Sequence, residues 1–126
     1  MLNGSCLCGA ITFTADGPAR DPAACHCTQC RKQSGHYWAA VQVMDHTLSI
    51  TGTPRWYASS PTAKRGFCPT CGSFLFWKGE GDPDTGIALG ALDGPTGLRL
   101  ERHIFTAYKG DYYDITDTVP QEEQET

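Results

Sequence analysis

At 126 residues the chain has room for one ordinary domain, and only 21 of those residues are Leu, Ile, Val or Phe, too few for a thick aliphatic core. Net charge is −4, five acidic and no basic side chains fall within residues 114–126, and the remainder is nearly neutral, without the dense Lys/Arg stripe that nucleic-acid binding needs. Three Trp and five Tyr argue against disorder, and no apolar run approaches the roughly 18 residues of a membrane span.

In chain order, Ala10-Ile11-Thr12-Phe13-Thr14-Ala15 alternates apolar and polar residues, which predicts a strand over 9–15. A short helix follows over 28–34, with Thr28 as its N-cap and Gly35 as its stop. Further strands are predicted at 36–43, 47–51, 54–58, 73–78, 86–91 and 101–108, separated by Gly, Pro, Asp and Ser. The expectation is a mostly β single domain over 1–120. Residues 121–126, QEEQET after Pro120, read as a solvated acidic tail.

Seven cysteines punctuate these elements as Cys6-x-Cys8, Cys25-x-Cys27-x-x-Cys30 and Cys68-x-x-Cys71. The odd count, the cramped one-residue spacings and an N-terminus without signal-peptide character fit a disulfide framework poorly, so the expected setting is reducing and cytoplasmic. A Cys-x-x-Cys turn points two sulfurs at one centre, and Pro69 and Gly72 suit such a turn, so the clusters read as zinc ligands. Two four-sulfur sites need eight cysteines and the chain has seven. One site therefore lacks a protein ligand, the arrangement that leaves a catalytic zinc an open position. Cys27 and Cys30 could join Cys68 and Cys71, leaving Cys6, Cys8 and Cys25. Alternatively Cys6 and Cys8 join Cys68 and Cys71, and the compact triplet Cys25, Cys27 and Cys30 closes on one ion at little loop entropy; this second grouping is preferred.

The segments Gly4-Ser5-Cys6-Leu7-Cys8-Gly9-Ala10, Cys25-His26-Cys27-Thr28-Gln29-Cys30-Arg31, Ser59-Ser60-Pro61 and Arg65-Gly66-Phe67-Cys68-Pro69-Thr70-Cys71-Gly72-Ser73 resemble the glutathione-dependent formaldehyde-activating enzyme (GFA/CENP-V) family. Weaker matches at Leu92-Asp93, His103-Ile104 and Val119-Pro120 extend the resemblance over essentially the whole chain. It implies an Mss4-like or β-tent fold, small curled antiparallel sheets organised around two zinc ions. Cys6, Cys8, Cys68 and Cys71 would hold a structural zinc, and Cys25, Cys27 and Cys30 a second one at the active site. The implied activity is carbon–sulfur lyase chemistry on adducts of glutathione, or another thiol, with formaldehyde or a related electrophile. The alternative is a non-catalytic zinc module that binds or carries such adducts or a protein partner.

No dedicated general acid or base stands out. His26 lies between two ligand cysteines and is expected to point away from the metal; His46 falls in a turn and His103 in a β pattern. Arg31 and Arg65 adjoin the cysteine motifs, where a cation would offset thiolate charge or meet glutathione's carboxylates. Lys32 reads as an ordinary solvated charge. Ser34, His36 and Trp38, just beyond the triplet, complete the candidate substrate-binding set.

Overall fold

In the computed structural model, which describes residues 1–125, two sheets follow from the alternation. The smaller is antiparallel, ordered β1 (Leu2–Ser5), β2 (Thr12–Ala15), β5 (Leu48–Thr51). Phe13 and Ala15 of β2 are buried while Thr12 and Thr14 face out, as a period of two requires. Gly4 has a steric reason: a Cβ there would lie 2.4 Å from the Phe13 ring and 2.5 Å from the Ala91 carbonyl oxygen.

The fold is mostly β, as expected, and the larger sheet has seven strands. Its order is β10 (Arg102–Ile104), β3 (Arg20–Cys25), β4 (Trp38–Met44), β9 (Asp84–Ala88), β8 (Phe74–Gly79), β7 (Ala63–Phe67), β6 (Arg55–Ser60). All its pairs are antiparallel except β10 with β3. Three strands escape the sequence pattern. β3 carries Asp21 and Pro22 inside a bulge between Arg20 and Ala23; β7 reads as Lys-Arg-Gly; β1 contains Asn and Gly. The predicted 86–91 and 101–108 strands are shorter, each giving way to a 3-10 turn, Leu89–Ala91 and Thr106–Tyr108.

Register divides the large sheet into two working faces. Val41 pairs with Ile87 and Ile87 with Phe76, and this face meets the small sheet through an edge-on Phe13–Phe76 contact at 5.4 Å. Here lies the main core. The opposite face carries Cys25 paired with Trp38, Ala40 with Ala88, Gly86 with Trp77, and Trp77 with Arg65.

The helix α1 (Thr28–Ser34) has the expected bounds and the expected Gly35 stop, with φ 88° and its N–H donated to the Arg31 carbonyl. Its N-cap is Cys27 rather than Thr28: the Cys27 sulfur accepts from the Cys30 N–H. Residues 121–125 do not run free. Thr106 N–H donates to the Glu122 carbonyl at 3.0 Å, Glu122 N–H to the His103 carbonyl at 2.9 Å, and the Arg102 guanidinium binds Asp21, Glu122 and Glu125. No helix among the described residues is long and apolar enough to cross a membrane.

Candidate metal centres and the cavity

Chain reversals around Gly9 (φ 81°) and Gly72 (φ 80°) fold the first and last cysteine pairs back on themselves. Leu7 N–H donates to Ser73 Oγ at 3.0 Å, and that hydroxyl lies 3.2 Å from Cys71 Sγ, tying the two turns together. The result gathers Cys6, Cys8, Cys68 and Cys71, their sulfurs all within 4.8 Å of one another. A tetrahedral ion with metal–sulfur distances of about 2.3 Å needs sulfur–sulfur edges of about 3.8 Å. Cys6–Cys8 at 3.7 Å and Cys8–Cys68 at 3.8 Å match that figure. Backbone N–H groups of Ile11, Thr70 and Cys71 point at these sulfurs at 3.3–3.5 Å. The Ser73 hydroxyl and N–H draw Cys71 down to about 5.

Cys25, Cys27 and Cys30 form a second group, equally close. β3 delivers Cys25, the helix cap Cys27 and the first turn of α1 Cys30. Hydrogen bonds from the Cys25 and Cys30 thiols, with the Cys30 N–H, hold Cys27 down to about 2, while the same shared contacts and burial push Cys25 up. The donor sets suit a soft or borderline metal in both places, one closed by four sulfurs and one with three. The sulfurs thus divide as the second of the two groupings that the spacings allow.

The triplet opens into a cavity of about 710 Å³ on the face of the large sheet opposite the main core, to which none of the four other cysteines contributes. Trp38, stacked on Phe74 at 4.1 Å, and Trp77 form apolar walls. Arg65 is 4% exposed, and its Nη1 lies 3.5 Å from Cys30 Sγ. Gln29 and Gln33 of α1 accept from the same guanidinium at 3.0 and 3.4 Å. The sequence pattern did not single out these glutamines; their i, i+4 spacing on either side of Cys30 is a signal that could have found them.

Of the candidate substrate-binding residues, Trp38 and Arg65 line this cavity and Arg31, Ser34 and His36 do not. Arg31 Nε donates to the Tyr108 carbonyl at 2.9 Å, and Ser34 Oγ donates to the Cys30 carbonyl at 2.7 Å. His36 Nδ1 lies 2.6 Å from the Tyr112 hydroxyl.

His26 points away from the triplet, as alternation predicts, yet it is fully buried. Its Nδ1 meets the Tyr113 hydroxyl and its Nε2 lies 2.9 Å from His103 Nδ1; His103 Nε2 in turn lies 3.0 Å from Asp117. Burial, then the facing His103, depress His26 to about 4. This row pins the 113–117 segment behind the Cys25–Cys27 ligand strand. No local spacing links residues 26, 103, 113 and 117.

A crystal structure of a Rhodobacter sphaeroides protein shares the fold, with a TM-score of 0.61 over 75% of this chain and 91% of that one at 24% identity. An uncharacterized lyase of the fission yeast Schizosaccharomyces pombe is 35% identical over 75 residues, 59% of this chain; the matched region spans about half of that relative, 55% of its length. A sequence model of the glutathione-dependent formaldehyde-activating enzyme family matches residues 1–108, and the chain belongs to that family.

Proposed function

We propose that the protein is a zinc-dependent enzyme of the carbon–sulfur lyase type, joining glutathione or another thiol to formaldehyde or a related electrophile and reversing that addition. One observation carries the reading: seven sulfurs divide into a group of four and a group of three, and only the group of three lines the cavity. Zinc at Cys25, Cys27 and Cys30 would supply a Lewis-acid position suited to a soft sulfur donor, while a second zinc at Cys6, Cys8, Cys68 and Cys71 would serve the fold.

The chain's own groups support the reaction in definite ways. The Cys30 N–H stabilises negative charge on Cys27, and the buried Arg65 guanidinium offsets charge on Cys30. Trp38 and Trp77 present apolar surface to a substrate beside the triplet. In the forward direction the thiol loses its proton and a sulfur electron pair bonds to the carbonyl carbon. The C=O π pair moves to oxygen, which takes up a proton, giving the hydroxymethyl thioether; the lyase direction reverses each movement.

Exchange spectroscopy on glutathione and formaldehyde, with and without the metal-loaded protein, tests this. The expected result is interconversion at least 100-fold faster than the uncatalysed exchange, a barrier reduction of about 2.7 kcal/mol. Adduct binding without acceleration would assign the chain the carrier role instead. A chelator should remove one ion at least tenfold faster than the other, because the three-sulfur site has a ligand position open to attack; equal rates contradict an open site.

A further inference from the structure

Alternation along Cys25-His26-Cys27 turns both cysteines toward the cavity and the ring between them to the other side of the strand, where it is fully buried. One imidazole thus stands behind two of the three sulfurs. Its backbone is tied to β10, because His26 N–H donates to the Ile104 carbonyl at 3.0 Å and Cys25 pairs with Ile104. Its ring is tied to the same strand through His103. β10 is a three-residue edge strand, and the chain end steadies it: His103 N–H donates to the Pro120 carbonyl at 2.8 Å, and Glu122 N–H to the His103 carbonyl at 2.9 Å.

The row of Tyr113, His26, His103 and Asp117 has a direction. An ionised carboxylate only accepts, so His103 Nε2 carries a proton and donates it to Asp117 at 3.0 Å. With both rings neutral, His103 Nδ1 then accepts from His26 Nε2–H at 2.9 Å, and His26 Nδ1 accepts from the Tyr113 hydroxyl. Every ring nitrogen is used, and neither imidazole can turn over without breaking two hydrogen bonds. Val119 N–H donates to the Asp117 carboxylate at 3.2 Å and fixes that end of the row, while Tyr37 packs against His26 with ring centres 5.0 Å apart.

We propose that Tyr113, His103 and Asp117 are positioning residues of the three-sulfur group: by fixing the His26 ring they fix the backbone on either side of it, and so set the directions of the Cys25 and Cys27 sulfurs. None of the three lines the cavity; they act through His26. The inference rests on the metal reading of the triplet given above and adds to it the groups that hold the triplet ready. Sulfurs already within 4.8 Å of one another need no ordering when an ion arrives, and that ordering is a cost which otherwise subtracts from affinity. Tyr113 and Asp117 lie past residue 108, beyond the stretch that matches the family model, so this support comes from the C-terminal segment of this chain.

The test is chelator competition on the zinc-loaded chain, with NMR of the cadmium-loaded chain to separate a three-sulfur from a four-sulfur ion, for wild type, Asp117→Ala, Asp117→Asn and Tyr113→Phe. The Asp117 side chain is 48% exposed and Tyr113→Phe keeps its ring, so both ends of the row can be altered without opening the core. Asp117→Ala and Tyr113→Phe are each expected to weaken zinc at the triplet about tenfold and to shift its cadmium resonance, with the four-sulfur ion held to within about twofold of wild type. Asp117→Asn keeps an oxygen that accepts from His103 Nε2–H, and is expected to restore triplet affinity to within about threefold. Equal weakening of both ions makes the row a support of the fold alone and overturns the proposal. So does triplet affinity unchanged in Asp117→Ala and Tyr113→Phe, or an Asn variant as weak as the Ala one. If Asp117→Ala does not fold, Tyr113→Phe decides by itself. A wild type that takes up a single ion, at the four sulfurs, removes the metal reading of the triplet, and the proposal falls with it.

Discussion

A Cys68→Ser substitution is expected to leave the chain without a cooperative thermal unfolding transition. Cys68 is fully buried, its N–H donates to the Ser73 carbonyl, and its sulfur accepts from Thr70 and Cys71 while facing Cys8 across 60 residues of sequence. The rest of the core cannot compensate. Among the described residues, eight of the eighteen buried hydrophobic ones are alanine or cysteine, which bring little apolar area each. Structural zinc in small domains contributes on the order of 10–16 kcal/mol to folding, as much as or more than the 5–15 kcal/mol of net stability a domain usually has. Circular-dichroism melting checks this: a variant melting within about 5 °C of wild type would show that the four-sulfur group does not hold the fold.

The readable parts of this protein were those whose signal is local. Helix α1 announces itself by a seven-residue stretch ending at Gly35, and β2 and β4 by alternation. The cysteine clusters are legible because two-residue spacing alone forces sulfurs together. What escaped is long-range. β3 looks like a loop because Pro22 is a strand breaker, and only the bulge that absorbs it and the parallel pairing with β10 make it a strand. The N-cap passes from Thr28 to Cys27 because the sulfur already stands over the Cys30 N–H. The acidic residues after Pro120 look solvated because nothing nearby in sequence reveals Arg102 as their partner.

Replacing Cys27 by Ser is expected to return thiol–formaldehyde interconversion to the uncatalysed rate, a loss of at least 100-fold and a barrier increase of about 2.7 kcal/mol, while the melting temperature falls by no more than about 10 °C. The asymmetry with Cys68 follows from position. Cys27 is only half-buried at the cap of a two-turn helix, belongs to the smaller cluster with Cys30, Trp38, Ala40 and Ala88, and has the closed four-sulfur group on the far side of the sheet to keep the fold. A serine oxygen can still accept the Cys30 N–H, so the helix cap survives the exchange. What it cannot do is act as a thiolate: Cys27 is the sulfur that its neighbours and the helix N–H hold in the charged form, and a hydroxyl there stays protonated. With two sulfurs left, the site loses the donor that completes its three-sulfur set and the thiolate charge that the Cys30 N–H stabilises. Turnover and melting measured on the same preparation separate the possibilities. A variant that keeps wild-type turnover removes the triplet from the chemistry, and one that unfolds like Cys68→Ser makes all seven cysteines supports of the fold.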